Sequence, residues 1–392
     1  MTPPDAPPVP HPALSTPATE LFGVRYPIVQ TGMGWVSGAR LTAATARAGG
    51  LGILASATMT LEELGVAIDK VAGRAVDERG DRLPFGVNLL PGQPDAAQRI
   101  DLVIERGVPV VSFAAAPRPE QVARLDDAGV ATVVTVGAPR HAEKVAAMGV
   151  RAVIAQGGEG GGHTGSISTA LLVPGVVEAT RGSGLVVLAA GGMHDGASLA
   201  VARVWGADGI AMGTRFLLTA ESQVPDHVKD VYVASGLNAT VVTTAIDGAP
   251  QRVIRTEVID ELESARGPMR FVRAAGNALS FARQSGISPL DLLRTARSMR
   301  RDQELTWSQV ALAANAPMMT KASVVDGDLG VGILPTGQVV GSIEDLPTVA
   351  DLIDDIVAGA SATLTRVCGD GRGAAADAPA GDPTAPAEGL ED

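Results

Sequence analysis

The chain has 392 residues, of which 46% are hydrophobic, and its formal net charge is −12. This charge argues against nucleic acid as the main partner, because phosphate binding needs a basic face. No apolar run reaches the roughly 18 residues of a membrane span, and the single Cys368 excludes an internal disulfide and a cysteine-based zinc site. We therefore expect a cytoplasmic enzyme with a small-molecule substrate and with no nucleic-acid or membrane partner. A homo-oligomer is left open.

Both ends of the chain have compositions typical of disorder. Residues 1–18 are rich in proline and have neither the basic start nor the apolar stretch of a signal peptide. Residues 370–392 are rich in alanine, proline, aspartate and glycine. We predict a disordered tail at each end.

One unit recurs along the first half of the chain: a helix-like segment ends in glycine and a short apolar run follows at once. Glycine adopts the left-handed conformation at a helix end without steric cost, and such apolar runs are typical of strands buried in a parallel sheet. The predicted strands are 27–32, 51–56, 85–90, 108–113, 132–137, 151–157, 185–191 and 209–214. The predicted helices between them are 40–48, 60–71, 96–106, 119–128, 140–148, 171–180 and 196–205.

This alternation of eight strands with helices predicts an α/β fold, a (β/α)8 TIM barrel. A doubly wound open sheet is the alternative, because spacing alone does not exclude it. After the eighth strand, helical spacing occurs at 221–235, 257–263, 269–284, 289–299 and 305–314, then a glycine-rich loop at 326–341 and a last helix at 345–364. We predict a barrel domain of residues 19–219 and 343–366, and an appended, mainly helical region of residues 220–342.

The chemically unusual loops follow the predicted strands, at the end of a barrel where active sites lie. Six of the eleven residues in 155–165 are glycine, which excludes a helix or strand interior and suits an anion-binding backbone nest. At its end lies His163, whose imidazole suits proton transfer near neutral pH. A glycine-rich surface turn with an incidental histidine is the alternative.

Two further glycine turns, Gly191-Gly192 and Gly213-Thr214, follow predicted strands seven and eight, whose loops often bind phosphate in barrels. Met33 among glycines is expected to line a ligand, with core packing as the alternative. Asn88 has helix capping as its alternative. For Arg215, a structural ion pair is at least as good an interpretation as a ligand contact.

The stretches Gln156-Gly-Gly-Glu-Gly-Gly-Gly-His163, Ala189-Ala-Gly-Gly192 with Asp195-Gly196, and Met212-Gly-Thr-Arg-Phe216 resemble the nitronate monooxygenase (2-nitropropane dioxygenase) family. Flavin-dependent enoyl-reductases of fatty-acid synthesis share its architecture. The resemblance extends from about Thr19 to Leu364, and Gly160 departs from it where alanine is common. It implies one non-covalent FMN in a TIM barrel and His163 as the catalytic residue. The implied flavin contacts are Gly32, Met33, Asn88, Gln156, Gly161, Gly162, Gly191, Gly192, Met212, Gly213 and Thr214.

Residues 30–36, 156–165 and 304–310 resemble one actinobacterial branch of this family, the flavin oxidoreductases of steroid C/D-ring catabolism. That resemblance implies a hydroindane CoA thioester as substrate and a change at a ring C–C bond, with His163 as acid or base. Oxidation of alkyl nitronates by O2 is the alternative function, and a flavin-binding scaffold without catalysis is the second alternative. A CoA thioester needs basic residues near its phosphates, and Arg252, Arg255 and Lys321 are candidates, each with a solvated surface charge as the alternative.

Overall fold

The structure is a computed structural model that describes residues 10–264 and 315–368. Its strands are β1 (Ile28–Gln30), β2 (Leu51–Ala55), β3 (Gly86–Leu89), β4 (Val110–Phe113), β5 (Ala131–Val136), β6 (Ala152–Gln156), β7 (Gly162–His163), β8 (Val186–Ala190), β9 (Gly209–Met212), β10 (Thr240–Thr243) and β11 (Gln251–Ile254). Eight of them form a closed parallel barrel in the order β1-β2-β3-β4-β5-β6-β8-β9, and β9 pairs with β1. The predicted TIM barrel is confirmed, and the open sheet is wrong because the strands close on themselves.

The helices of the described residues alternate with the barrel strands and then continue beyond them. They are α1 (Pro17–Phe22), α2 (Ala39–Arg47), α3 (Leu61–Ala72), α4 (Ala96–Glu105), α5 (Pro119–Asp127), α6 (Pro139–Ala146), α7 (Thr169–Ala179), α8 (Gly196–Val204), α9 (Thr214–Leu217), α10 (Asp226–Val233), α11 (Glu257–Ser264), α12 (Asn315–Val324) and α13 (Val349–Cys368). The helix predicted at 221–235 begins only after Pro225, which lies just outside its first turn. The predicted helices 269–284, 289–299 and 305–314, and the stretch 304–310, lie outside the described residues.

The segment 10–18, which composition predicts to be disordered, is ordered in the structure. It contains a 3-10 helix at Pro12–Leu14 and leads into α1, where the hydroxyl of Thr16 accepts the first hydrogen bond of a capping box. Phe22 at the end of α1 is buried and packs in one cluster with barrel-interior side chains such as Leu51. Proline is compatible with this order because it occupies the first turns of both helices, where no N–H is needed.

In the region after β9, α10 and α11 match the helices predicted at 221–235 and 257–263, whereas α12 and the strands β10 and β11 were not predicted. β10 and β11 form an antiparallel hairpin, and β11 pairs in turn with β7 of the glycine-rich loop. A short sheet therefore joins the appended region directly to the loop after β6.

The last helix, α13, returns to the barrel and packs against α8 and α2. It fills the place of the eighth barrel helix, with Ile353 and Val357 completely buried. This packing supports assigning the end of the chain to the barrel domain. Among the described residues, every helix is too short or too polar to cross a lipid bilayer.

Candidate active site

A cavity of about 580 Å³ lies at the carboxyl ends of the barrel strands. All twelve site residues predicted from the sequence line it, although they come from five separate segments of the chain. They are Gly32 and Met33 after β1, Asn88 in β3, Gln156 in β6, Gly161, Gly162 and His163 in the loop after β6, Gly191 and Gly192 after β8, and Met212, Gly213 and Thr214 at the end of β9 and after it. Closure of the barrel brings these segments together.

The appended region contributes a further wall of the cavity, and the sequence analysis identified none of the individual residues that form it. Its lining residues are Gln251, Ala316, Pro317, Thr320, Val324, Pro335, Thr336, Gly337 and Val339. The backbone N–H of Gly337 donates to Thr214 Oγ1 at 2.9 Å, and that of Gln338 donates to the carbonyl of Glu159 at 2.9 Å. The only signal in the sequence was the glycine-rich stretch 326–341, interpreted as a return loop.

Gly161 is glycine because another backbone segment lies against it. A β-carbon at this position would stand 2.7 Å from the α-carbon of Thr336 and closer still to its carbonyl carbon. A β-carbon essentially never comes within 3.0 Å of a non-bonded atom, so any side chain would push the loop after β6 away from residues 336–337. The close backbone approach expected from the glycine run is therefore made, at this position, to the appended region.

The turn after β8 has the features of an anion-binding cradle. Gly191 and Gly192 have φ values of +95° and +79°, in the region that favours glycine, and a β-carbon on Gly192 would meet nothing within 4 Å. Among the described residues, the backbone N–H of Gly192 donates to no acceptor. A backbone N–H without an acceptor, at a residue with open space beside it, suits a phosphate oxygen, so this turn fits the terminal phosphate of the FMN that the resemblance implies.

Two polar side chains in the cavity are held in place by neighbouring groups. Asn88 donates from Nδ2 to Ser112 Oγ at 2.9 Å, and it does not cap α4, which begins after Asp95. Gln156 donates from Nε2 to the carbonyl of His163 at 2.8 Å, across the glycine-rich loop. The loop that carries His163 is thus anchored to the end of β6.

Trp35 lines the cavity in an unusual backbone conformation that the sequence analysis missed. Its φ is +66°, the one positive value for a non-glycine residue in the described part of the chain. Its indole Nε1 donates to the carbonyl of Pro317 at 3.1 Å, which links the loop after β1 to α12. Strained backbone of this kind persists only where the surroundings fix it, and it is concentrated at ligand sites.

His163 is positioned by the small sheet as well as by its own loop. In the β7–β11 pairing it lies opposite Gln251. Its Nε2 is 2.8 Å from Asp247 Oδ2, and the same carboxylate oxygen accepts from Gln251 Nε2 at 2.6 Å. The side chain of Asp247 is only 8% exposed, whereas that of His163 is 64% exposed. The imidazole therefore has a buried carboxylate on one side and open space for a ligand on the rest of its surface.

Asp247 remains ionised in this setting. Burial of the carboxylate raises its pKa, but the hydrogen bond and charge of His163, the N–H of Ala249 and the amide of Gln251 together outweigh burial, and the pKa of Asp247 lies below its ordinary value. The sequence analysis did not identify Asp247 or Gln251, because each lies more than 80 residues from His163 along the chain.

The three basic residues suggested for CoA phosphates do not line the cavity. Arg252 donates to the carbonyl of Gly158 at 2.9 Å and to Thr240 Oγ1 at 2.9 Å, which ties the hairpin to the glycine-rich loop. Arg255 pairs with Asp260 at 2.8 Å and Lys321 with Asp326 at 2.9 Å. Their side chains thus have acceptors within the chain, and Arg252 serves to hold the loop of His163.

Two other polar residues have structural partners. Arg215 is buried and pairs with Asp345 Oδ1 at 2.8 Å, as the ion-pair interpretation expected, and burial lowers the pKa of the guanidinium. Glu159, on the same loop as His163, accepts hydrogen bonds from the backbone and hydroxyl of Thr169 at the start of α7, at 2.9 and 2.7 Å. Both side chains therefore serve to stabilise the fold and are not assigned to ligand binding.

Comparison with known proteins places this site in context. The family model for nitronate monooxygenase matches residues 15–99 and 90–359. The chain is 54% identical over 344 residues to the (3aS,4S,5R,7aS)-5-hydroxy-7a-methyl-1-oxo-octahydro-1H-indene-4-carboxyl-CoA dehydrogenase of Mycobacterium tuberculosis, covering 88% of this chain and 95% of that protein. The enzyme of the same name from Rhodococcus jostii is 50% identical, with 88% and 96% covered. Among solved structures, FabK from Thermotoga maritima superposes with a TM-score of 0.69 at 31% identity, covering 90% of this chain and 98% of that one.

Proposed function

The chain belongs to the nitronate monooxygenase family, and we propose that within it the chain is an FMN-dependent, cytoplasmic dehydrogenase of a hydroindane CoA thioester. It is an oxidoreductase that acts on a small molecule, and the members of its family are generally flavin enzymes. The observation that carries the substrate is the identity of 54% to a hydroindane carboxyl-CoA dehydrogenase, which extends over 88% of this chain. The identity therefore includes both the barrel and the appended region that line the cavity.

FMN is proposed rather than FAD because the cavity offers cradles for one terminal phosphate. At the turn Gly191-Gly192, the N–H of Gly192 has no acceptor among the described residues, and the turn at Gly213-Thr214 lies beside it at the next strand end. The sequence has no second nucleotide-binding motif that an adenosine half would need. Met33 and Met212 line the same cavity and are proposed to contact the isoalloxazine ring.

In the proposed reaction the substrate loses two hydrogens from adjacent ring carbons, and the single bond between those carbons becomes double. A bound flavin supplies the hydride acceptor. His163 takes the other hydrogen as a proton, from the carbon that the neighbouring thioester makes acidic. The glycine-rich loop and the Asn88–Ser112 contact hold their groups in fixed positions, which favours a productive geometry.

The proposal is tested by mixing the flavin-loaded protein anaerobically with the hydroindane CoA thioester named for the relatives. We expect rapid loss of the visible absorbance of oxidised flavin and formation of the unsaturated thioester, detected by mass spectrometry. Free CoA and the ring acid without CoA are the controls and should leave the flavin oxidised. Absence of any spectral response to the thioester would refute the proposed substrate.

Oxidation of alkyl nitronates is the second candidate function, because the family model that matches this chain is that of nitronate monooxygenase. The same anaerobic mixing experiment, followed by the flavin absorbance, distinguishes the two candidate functions. Fast flavin reduction by propionate 3-nitronate, together with oxygen consumption under air and no response to the thioester, would favour it. A flavin-binding scaffold would respond to neither substrate.

A further inference from the structure

The hydrogen-bond partners of the His163 imidazole come from the appended region and not from the barrel. Asp247 lies in the connection between β10 and β11, and Gln251 begins β11. The β7–β11 pairing fixes the backbone of His163 opposite Gln251, so the imidazole and the carboxylate are held by one sheet. The hairpin is thus part of the site, although it contributes only Gln251 to the cavity lining.

Two hydrogen-bond donors converge on one oxygen of Asp247. Gln251 Nε2 and His163 Nε2 lie 2.6 and 2.8 Å from Asp247 Oδ2, and 3.3 Å from each other. An ionised carboxylate can only accept, so the hydrogen in the short contact to His163 must be carried by Nε2. The other oxygen, Oδ1, accepts from the N–H of Ala249 at 3.1 Å, which fixes the plane of the carboxylate.

We propose that Asp247, itself held by Gln251, is a positioning residue that keeps the neutral imidazole of His163 in the tautomer protonated at Nε2, leaving Nδ1 as the basic nitrogen. The proposal rests on the proposed role of His163 as general base. The proton from the substrate carbon is transferred to Nδ1, the Nε2 proton stays in place, and the carboxylate remains ionised. The imidazolium that forms then lies beside a negative charge 2.8 Å away, which stabilises it.

The direct test is ¹⁵N NMR of the flavin-loaded protein labelled at histidine, with the His163 signals assigned by comparison with His163→Gln. We expect an Nε2-protonated, Nδ1-unprotonated imidazole in the wild-type protein. In Asp247→Asn, whose amide can donate to Nε2, we expect a change of the tautomer ratio. A wild-type spectrum with the proton on Nδ1 overturns the proposal, and this measurement requires no variant of Asp247 that folds.

Kinetics supply the second readout. In Asp247→Asn we expect kcat to fall while KM and flavin retention stay as in the wild type, and the loss should not exceed the roughly 10²–10⁴-fold that a general base supplies. Gln251→Ala should act in the same direction. The control is Asp260→Asn, which removes a carboxylate of the same region that pairs with Arg255 away from the cavity.

The outcomes separate this proposal from the proposed function. A folded Asp247→Asn protein with the wild-type tautomer, or with the wild-type kcat, overturns the positioning role. If His163→Ala turns over at the wild-type rate, the proposed base is wrong, whereas the tautomer measurement still reports whether Asp247 controls the imidazole.

Discussion

Gly337 of the appended region donates its backbone N–H to Thr214 Oγ1, 2.9 Å away, at the turn after the last barrel strand. Thr336 Oγ1 lies 3.2 Å from the same hydroxyl. The turn proposed to hold the flavin phosphate is therefore tied to the segment that walls the cavity. Changes on either side of this contact should affect both the stability of the fold and the binding of the cofactor.

Thr214→Val tests this coupling because valine has nearly the same shape and no hydroxyl. The buried N–H of Gly337 would lose its acceptor, which costs about 1–3 kcal/mol. We expect a lower free energy of unfolding in urea and weaker flavin retention on gel filtration. Thr214→Ser keeps the acceptor and should stay close to the wild type; an equal loss in both variants would contradict the assigned hydrogen bond.

His163→Ala should keep the flavin and lose turnover. The cradle is made of glycine backbone, so removal of the imidazole leaves it intact, whereas loss of a general base typically lowers the rate by about 10²–10⁴-fold. The measurement is kcat together with the flavin-to-protein absorbance ratio. His141→Ala, at an exposed position on α6, is the matched control. Normal turnover in His163→Ala would make this residue structural.

The flavin released by denaturation should be FMN. The cavity presents its two glycine turns at neighbouring strand ends, where one phosphate monoester can bind. Chromatography of the released cofactor against FMN and FAD standards identifies it. Recovery of FAD would mean that an adenosine site exists which neither the motifs nor the cavity lining revealed.

The barrel could be predicted from the sequence because its signals are local, and the twelve site residues, which the family resemblance implies, all line its cavity. Most barrel strands are apolar runs that follow a glycine, and each site loop, such as 155–165, follows its own strand directly. Because a closed parallel barrel places all of these loops at one end, their proximity follows from the predicted fold alone.

The partners of the site were missed because their contacts are not local. Asp247 meets His163 across 84 residues, and Gly161 meets Thr336 across a longer span that includes the whole hairpin. Nothing in the periodicity near Asp247 distinguishes it from a surface turn residue. The same limit explains Arg252, whose acceptor is a backbone carbonyl of the glycine-rich loop and not a ligand.

Gly161→Ala should separate the loop after β6 from the appended region. The added β-carbon would overlap the backbone at Thr336, and overpacking of this kind typically costs about 1–3 kcal/mol. We expect a lower melting temperature and slower turnover, since His163 lies two residues further on. Gly92→Ala, at an exposed position with open space around it, is the control. Unchanged stability in Gly161→Ala would show that the two segments can move apart freely.

The stability of the protein should depend on Asp247 in a way that varies with pH. The pKa of this carboxyl lies below its ordinary value in the folded state, because the interactions with His163, Ala249 and Gln251 outweigh the effect of burial. A carboxyl group whose pKa is lowered in the folded state contributes stability at pH values above its unfolded pKa, which is about 3.9 for aspartate. That contribution is lost as the pH falls through the folded pKa.

The free energies of unfolding in urea of the wild-type protein and of Asp247→Asn should therefore differ most at about pH 5, and differ less as the pH falls towards about 3. The remaining carboxylates titrate in both proteins and cancel in the difference. A gap between the two proteins that widens with acidification would mean that the folded state favours the protonated carboxyl, and the ionised state assigned to Asp247 would then be wrong.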